Sequence, residues 1–105
     1  MEEFDIAIIG GGPAGIMAAI AASADLNVVL LEKNSSLGSK LLITGGGRCN
    51  ITNEKPIKKL LNSFHDKNFL KHSFYTFTNE MLLDLFRNRG LDFIVEDNNL
   101  SLIHI

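Results

Sequence analysis

The first third of the chain alternates apolar runs with glycine-rich or polar turns. Residues 4–9 are mainly apolar and β-branched without alternation, which is typical of a strand buried on both faces of a parallel sheet. Residues 16–22 are alanine-rich and have high helix propensity, and residues 27–31 form a second apolar run. This order predicts a parallel βαβ unit and therefore an α/β fold.

Three glycines join the first predicted strand to the helix in the spacing G-x-G-x-x-G. Gly10 allows a sharp exit from the strand, Gly12 lets a pyrophosphate approach the backbone, and Gly15 lets the helix pack closely against the sheet. Pro13 suits the first helical turn, where its missing N–H has no intrahelical partner. The unpaired N–H groups and the positive end of the helix dipole would then face the phosphates of a dinucleotide.

An acidic residue follows the second predicted strand. Glu32 lies 22 residues after Gly10, and a dinucleotide-binding fingerprint places an acid about 20 residues on, where it accepts hydrogen bonds from a ribose diol. A carboxylate here repels a 2′-phosphate, so we do not expect NADP at this site. Lys33 either offsets part of this charge or remains a solvated surface residue. The alternative to dinucleotide binding is a βαβ unit that binds no nucleotide.

A second glycine cluster lies at Gly45–Gly47, within residues 37–53. Its flanking polar residues are Thr44, Arg48, Asn50 and Asn53. This composition is unsuited to a strand or helix but suits a backbone that wraps a ligand, with side-chain donors for phosphate, ribose or flavin edges. A mobile surface loop is the alternative.

Composition narrows the class of protein. The 105 residues suit one small domain or part of a larger one, and a net charge of −2 disfavours nucleic acid as the main partner. The single cysteine fits a reducing compartment. The acidic start of the chain is unlike a signal peptide, and the apolar run at residues 6–9 is too short to span a bilayer. We expect a cytoplasmic protein that does not enter a membrane.

Three segments together resemble the bacterial RsdA/BaiN/AoA(So)-like flavoproteins, a family of NAD(P)/FAD-dependent oxidoreductases and aminoacetone-oxidase-family FAD-binding enzymes. They are IIGGGPAG at residues 8–15, LLEKN at 30–34 and LGSKLLITGGGRCNITN at 37–53, the last being the most specific. The resemblance weakens through residues 54–77 and returns as a helix followed by residues 91–97. The family commonly has Arg where this chain has Ser39.

The resemblance implies FAD as the cofactor, with hydride or electron transfer through the flavin. Gly10, Gly12, Gly15 and the amides around Pro13 and Ala14 would cradle the diphosphate, and Glu32 would hold the adenosine ribose. Lys40 and the segment 45–50 would run along the diphosphate and flavin. The residues of that segment are Gly45, Gly46, Gly47, Arg48, Cys49 and Asn50. The full-length enzyme would use a small-molecule substrate and NAD(P)H as a possible reductant, and no catalytic residue is identified.

Two side chains of this segment allow more than one interpretation. Cys49 is either a redox residue near the flavin or a small buried hydrophobe, and the second is favoured because no other cysteine exists for a redox pair. Arg48 suits a diphosphate or substrate-anion contact.

No metal site is predicted. His65 and His72 can share a helix face, but no other ligand-type residues lie at matching spacing.

The second half of the chain is predicted to be helical and then extended. Residues 56–62 and 64–72 have helical spacing, and the aromatic side chains of residues 64–77 are assigned to packing rather than to a substrate pocket. Thr78 or Asn79 is expected to cap a further helix that Gly90 ends, and residues 91–95 to form a strand.

The last six residues, 100–105, read LSLIHI, which is one reading frame of the sequencing-library transposase end CTGTCTCTTATACACATCT. We expect this tail to be adapter-derived rather than native, and a native apolar strand is the alternative. Residues 1–99 are then the N-terminal part of an FAD-binding Rossmann-like domain. That domain is incomplete, because a doubly wound sheet needs strands on both sides of the first one.

Two functions follow from these motifs. The first is the N-terminal FAD-binding portion of a flavin-dependent oxidoreductase, completed by the remainder of its own chain. The second is a non-redox dinucleotide-binding module, as a sensor or as part of an FAD-dependent RNA-modification protein. The segment Arg48-Cys49-Asn50 favours the first, and the acidic charge balance weighs against RNA contact.

Overall fold

The structure is a computed structural model that describes residues 1–97 and 100–103. These residues form two compact units, Met1–Thr44 and the described residues from Gly45 onward, and each is described by itself. In the described part of the chain, no helix is both long and apolar enough to cross a membrane.

The first unit is the predicted βαβ arrangement followed by a short helix. Strand β1 (Ile6–Ile9), helix α1 (Pro13–Ala22), strand β2 (Val28–Leu31) and helix α2 (Ser39–Leu42) follow one another along the chain. The strands are parallel, with Ile6 opposite Val28 and Ile9 opposite Leu31. The α/β prediction is confirmed.

Hydrogen bonds at the start of the two strands set their register. The Asp5 amide donates to the Asn27 carbonyl at 2.8 Å, and the Asn27 amide donates to Asp5 Oδ2 at 2.8 Å. At the other end the Gly10 amide donates to the Leu31 carbonyl at 2.8 Å. Because the strands are parallel and in this register, the glycine turn after β1 and the acid after β2 lie side by side.

The expectation that β1 is buried on both faces is wrong for the described residues. Ile9 is 86% exposed and Leu31 is 52% exposed. Among those residues β1 pairs with one strand, β2, so the sheet is narrower than the apolar pattern indicates. The apolar run is typical of a central strand of a wider sheet.

The second unit packs three helices with an antiparallel sheet. Its elements are β3 (Asn50–Asn53), α3 (Ile57–Leu61), α4 (Lys67–Thr76), α5 (Asn79–Arg87), β4 (Phe93–Val95) and β5 (Leu100–Ile103). Strand β5 lies between β3 and β4 and is antiparallel to both. Cys49, Leu61 and Leu83 are its most deeply buried apolar side chains in the described part.

Side-chain capping explains where the two longer helices of the second unit begin. Helix α4 begins at Lys67 rather than at residue 64, because Asp66 Oδ1 accepts a hydrogen bond from the Phe69 amide at 3.1 Å. Thr78 Oγ1 accepts from the Met81 amide at 3.2 Å and caps α5. Phe64 and Phe74 pack with ring centroids 5.2 Å apart, in agreement with the packing role predicted for the aromatic residues.

The expectation that the three glycines and the polar residues flanking them, at residues 44–53, are unsuited to a strand is wrong for the end of this segment. Strand β3 lies there and pairs with β5, whose residues are about 50 positions away in the sequence. Such a partner overrides weak local strand propensity. Strand β5 belongs to the segment predicted to be adapter-derived, and that origin stays a prediction. His104 and Ile105, which complete the segment, lie outside the described residues.

Candidate functional site

A cleft of about 600 Å³ opens at the carboxyl ends of β1 and β2, within the first unit. Its walls are the turn between β1 and α1, the residues that follow β2, and the start of α2. The lining residues are Ile9, Gly10, Gly11, Gly12, Pro13, Leu31, Glu32, Lys33, Asn34, Gly38, Ser39 and Lys40. This position is where open parallel sheets bind ligands, and the volume is in the range of small-molecule sites.

The three glycines of the first turn have separate structural reasons. Gly10 has φ +101°, a conformation that side chains disfavour. A Cβ at Gly15 would overlap the Gly10 carbonyl oxygen, so only glycine lets α1 begin this close to β1. A Cβ at Gly12 would meet no described residue within 4 Å other than its two chain neighbours, and the φ of −78° at Gly12 is ordinary. The space above Gly12 is therefore open to a ligand.

Helix α1 directs backbone donors toward that space. Gly12 is its N-cap residue and Pro13 its first residue, and among the described residues no side chain caps this end. The first N–H groups of a helix have no intrahelical acceptor, and the helix dipole adds partial positive charge there. A phosphate group fits this combination of open space and free donors.

Gly11 connects the two walls of the cleft. Its amide donates to Glu32 Oε2 at 2.7 Å, and its carbonyl accepts from the Gly38 amide at 2.8 Å. A Cβ at Gly11 would overlap Leu37 Cδ2 and lie 3.1 Å from Glu32 Oε2, so both side chains close over this glycine. We call Gly11, Glu32, Leu37 and Gly38 the Gly11 clamp.

Glu32 uses both carboxylate oxygens inside the protein. Oε1 accepts from the Asn34 amide at 3.0 Å, and Oε2 accepts from the Gly11 amide. The Asn34 and Gly11 amides, with a smaller contribution from Lys33, hold the pKa of the Glu32 carboxyl below its ordinary value of 4.5, against the opposing effect of burial. Glu32 is therefore anionic at neutral pH. Each oxygen keeps a second lone pair for a further donor.

The structure brings most of the predicted first-turn residues together. Gly10, Gly12 and Pro13 line the cleft with Glu32, and so do the two predicted lysines, Lys33 and Lys40, both of which are exposed. Ala14 and Gly15 lie in the first turn of α1 and do not line the cleft. Sequence reasoning missed Gly11, Leu37 and Gly38. The only sequence signal for them was an extra glycine in each wall, at positions 11 and 38.

The second predicted segment, at residues 45–50, lies in the second unit. Gly45, Gly46 and Gly47 all have positive φ, at +61°, +66° and +87°, and Cys49 follows with φ +59°. A run of left-handed residues costs about 1–2 kcal/mol for each non-glycine side chain. The backbone path by itself therefore favours glycine at these three positions, with or without a bound ligand.

Arg48 and Cys49 have opposite exposure. Arg48 Nη1 pairs with Glu96 Oε1 at 2.6 Å, its Nε donates to the Gly45 carbonyl at 3.4 Å, and its side chain is 54% exposed. Cys49 is 2% exposed, and burial raises the pKa of its thiol. This environment supports the interpretation of Cys49 as a small buried side chain. The predicted contacts of both residues, and of Asn50, with a cofactor stay predictions. Among residues 1–97 and 100–103, no group of three or more His, Cys, Asp or Glu side chains is placed to hold a metal ion.

Comparison with known proteins identifies the fold family. The family model described as the HI0933-like protein Rossmann domain matches residues 4–100. The chain belongs to this family. It is the family of the RsdA/BaiN/AoA(So)-like proteins, so the relationship predicted from the three glycine-rich and acidic segments is confirmed.

Three curated relatives align with parts of this chain. The chain is 56% identical over 52 residues to a 3-dehydro-bile acid delta(4,6)-reductase of Clostridium scindens, covering 47% of this chain and 13% of the relative. It is 38% identical over 94 residues to a ribosomal RNA dihydrouridine synthase of Escherichia coli, covering 87% and 23%. It is 39% identical over 74 residues to a mitochondrial dihydrolipoyl dehydrogenase of Caenorhabditis elegans, covering 70% and 13%.

The aligned part is a small share of each relative. The chain spans 13% to 23% of the length of these three proteins. Two of them are oxidoreductases by name, a reductase and a dehydrogenase. The Rossmann-domain match, with oxidoreductases among the relatives, supports a nucleotide-binding domain.

Proposed function

We propose that this chain is the N-terminal FAD-binding portion of a flavin-dependent oxidoreductase. The ADP moiety and diphosphate of FAD would occupy the cleft of the first unit, and segment 45–50 would extend toward the flavin. When bound, FAD supplies hydride or electron transfer, and the protein supplies position and electrostatics.

The observation that carries this proposal is the open space above Gly12. Apart from Gly12 and its two neighbours, no heavy atom of the described residues lies within 4 Å of the position of a Cβ there, and α1 begins at this point without a side-chain cap. Gly12 has an ordinary φ, so its backbone conformation does not require glycine. A diphosphate passing close to the backbone accounts for a glycine at this position.

The charged side chains of the cleft fit the two ends of an ADP group. Glu32 has spare lone pairs for the hydroxyls of the adenosine ribose. Lys40, at the start of α2, supplies positive charge toward the diphosphate. A carboxylate held in place by the Gly11 and Asn34 amides also opposes a 2′-phosphate, which favours FAD over NADP in this cleft.

A second candidate function has one specific observation in its favour. Of the three relatives described, the ribosomal RNA dihydrouridine synthase aligns with the largest share of this chain, 87%. The alternative is therefore a dinucleotide-binding module of an RNA-modification protein or a sensor without redox turnover of its own. The net charge of −2 weighs against RNA contact by this portion itself.

The remaining assignments also belong to this proposal. The natural gene product would act in the cytoplasm on a small-molecule substrate, with NADH or NADPH as the source of electrons, and without a nucleic acid or membrane partner for this portion. The catalytic groups would come from other parts of that protein.

The test is to purify the full-length gene product and measure its flavin absorbance. We expect a yellow protein, or a colourless one that takes up added FAD, and flavin bleaching when NADH or NADPH is supplied. A protein that takes up no FAD would contradict the first function. A protein that binds FAD and is reduced by neither nucleotide would favour the second.

A further inference from the structure

We propose that Glu32 is a positioning residue that holds the two walls of the cleft together through the Gly11 clamp, in addition to any contact with a nucleotide. The inference rests on the proposed function for the identity of the ligand. It adds a role for Gly11 and Leu37, which no nucleotide contact requires.

The contacts of Gly11 all cross from one wall to the other. One wall is the turn between β1 and α1, and the other is residues 32–38, which run from the end of β2 to the start of α2. The Gly11 amide and carbonyl bond to Glu32 and Gly38 respectively, so both backbone polar groups of this residue are used across the cleft. Gly11 and Gly38 are both buried.

The residue types in the clamp follow from its geometry. Gly11 has no positive φ, so its backbone would accept alanine, but Leu37 and Glu32 occupy the space of a Cβ. Glu32 spans the distance to two amides, at Gly11 and Asn34, which needs two acceptor oxygens at the end of a side chain of this length. Glutamine has one acceptor oxygen and one NH₂ group, and the NH₂ group cannot accept from an amide.

The consequence is a preorganised cleft. Hydrogen bonds to a carboxylate are stronger than those between neutral groups, and a site that is already ordered loses less conformational entropy when its ligand binds. Glu32 therefore lowers the cost of FAD binding even where the ribose makes no contact with it.

The test measures amide hydrogen exchange by mass spectrometry in the full-length protein after removal of its flavin. The variants are Gly11→Ala, the matched control Gly12→Ala, Glu32→Gln, and Gly11→Ala combined with Leu37→Ala. Gly11→Ala places a Cβ inside the clamp and leaves the Glu32 oxygens in the protein, whereas Gly12→Ala places the same group in open space. FAD titration by flavin fluorescence is done on the wild-type protein only, because Gly12 lines the proposed FAD cleft.

We expect Gly11→Ala and Glu32→Gln to speed exchange about tenfold in both residues 9–14 and residues 33–38, and Gly12→Ala to change neither. Adding Leu37→Ala removes the side chain that the new Cβ overlaps and should restore most of the protection.

The proposal is overturned if Gly11→Ala and Gly12→Ala have equal effects, or if Glu32→Gln leaves both segments unchanged. Should Gly11→Ala fail to fold, the near-isosteric Glu32→Gln decides the question. If the wild-type protein binds no FAD while its variants show these changes in exchange, the proposed function is refuted and the Gly11 clamp is still supported.

Discussion

Gly12 and Gly15 differ in what a new side chain would meet. At Gly15 a Cβ would overlap the Gly10 carbonyl oxygen, which belongs to the backbone and cannot rotate away. At Gly12 the same atom would enter open space in the cleft. Gly15 is therefore required for folding, whereas Gly12 leaves space for a ligand, although the G-x-G-x-x-G spacing contains both.

This difference predicts opposite behaviour for two valine variants. Gly12→Val should leave the protein folded and lower FAD affinity about a hundredfold or more, because the side chain occupies the path of the diphosphate. Gly15→Val should destabilise the fold by about 1–3 kcal/mol or more, because α1 must move away from β1. Fluorescence titration and urea unfolding measure the two effects. Unchanged FAD affinity in a folded Gly12→Val protein would contradict the site assignment.

Glu32 gives the first unit a pH dependence of known sign. Its pKa in the folded protein is below the ordinary value of 4.5, so the folded state binds this proton less readily than the unfolded state. The stabilisation from Glu32 is therefore fully present above pH 4.5 and is lost as the pH falls through the lower, folded-state pKa.

The measurement is the free energy of unfolding of the wild type and of Glu32→Gln from pH 7 downward. We expect the wild type to be the more stable at pH 7 and the difference to shrink once the pH falls below 4.5. Comparing the two curves removes the contribution of the other acidic groups, which both proteins share. A difference that stays constant down to the acid limit would show that the Gly11 and Asn34 hydrogen bonds do not stabilise the carboxylate.

At the level of single residues, the sequence predicted those whose constraint is local. The roles of Gly10 and Gly15 follow from their position relative to β1 and α1. The ribose contact predicted for Glu32 stays a prediction, and its bond to the Gly11 amide was not predicted. Gly11 was not predicted, because its constraint comes from Leu37, which lies 26 positions further along the chain. A side chain that packs from such a distance leaves no local pattern.

Helix α5 shows how one element is fastened to another. Asn79, its first residue, is 6% exposed and donates through Nδ2 to the Asn53 carbonyl at 2.6 Å and to the Lys55 carbonyl at 2.8 Å. The sequence allowed either Thr78 or Asn79 as the cap. Thr78 caps, and Asn79 instead ties the start of the helix to the end of β3.

Removing that tie should destabilise the second unit. Asn79→Ala removes the donor from two carbonyl groups, and we expect a loss of about 1–3 kcal/mol in the free energy of unfolding. Asn68→Ala, an exposed asparagine in α4, serves as the control and should change stability by less than about 0.5 kcal/mol. Urea unfolding followed by circular dichroism compares them. Equal effects for the two variants would show that the hydrogen bonds from Asn79 to the Asn53 and Lys55 carbonyls do not stabilise the fold.

Strands and helices were predictable from the sequence where their apolar residues form a clear pattern and the elements they pack against are near in sequence. Strands β1 and β2 and helix α1 carry such patterns, and each was found within a few residues of its predicted bounds. Strand β3 has the sequence NITN and no apolar alternation. It forms because β5 supplies a partner strand, and pairing over that separation cannot be recognised from local composition.

At the scale of the whole molecule, many apolar side chains of the described residues are exposed to solvent. Helix α1 is built from apolar and small residues on all sides, and among its residues none is buried. Ile9 and Ile43 are 86% and 74% exposed. A helix that is apolar on every side normally lies inside a larger protein, and the relatives are several times longer than this chain.

These exposed surfaces predict how residues 1–105 behave alone. We expect this chain to bind a hydrophobic dye, to self-associate, and to hold FAD more weakly than the full-length gene product, because Ile9 and Leu31, at the ends of β1 and β2, expose apolar surface. Dye fluorescence, light scattering and FAD titration at equal concentrations compare the two proteins. Replacing Ile9 and Leu31 by serine in the short chain should lower dye binding, since both side chains are more than half exposed. A short chain that stays monomeric, binds no dye and takes up FAD as tightly as the longer protein would show that the first unit needs no further cover to form its site.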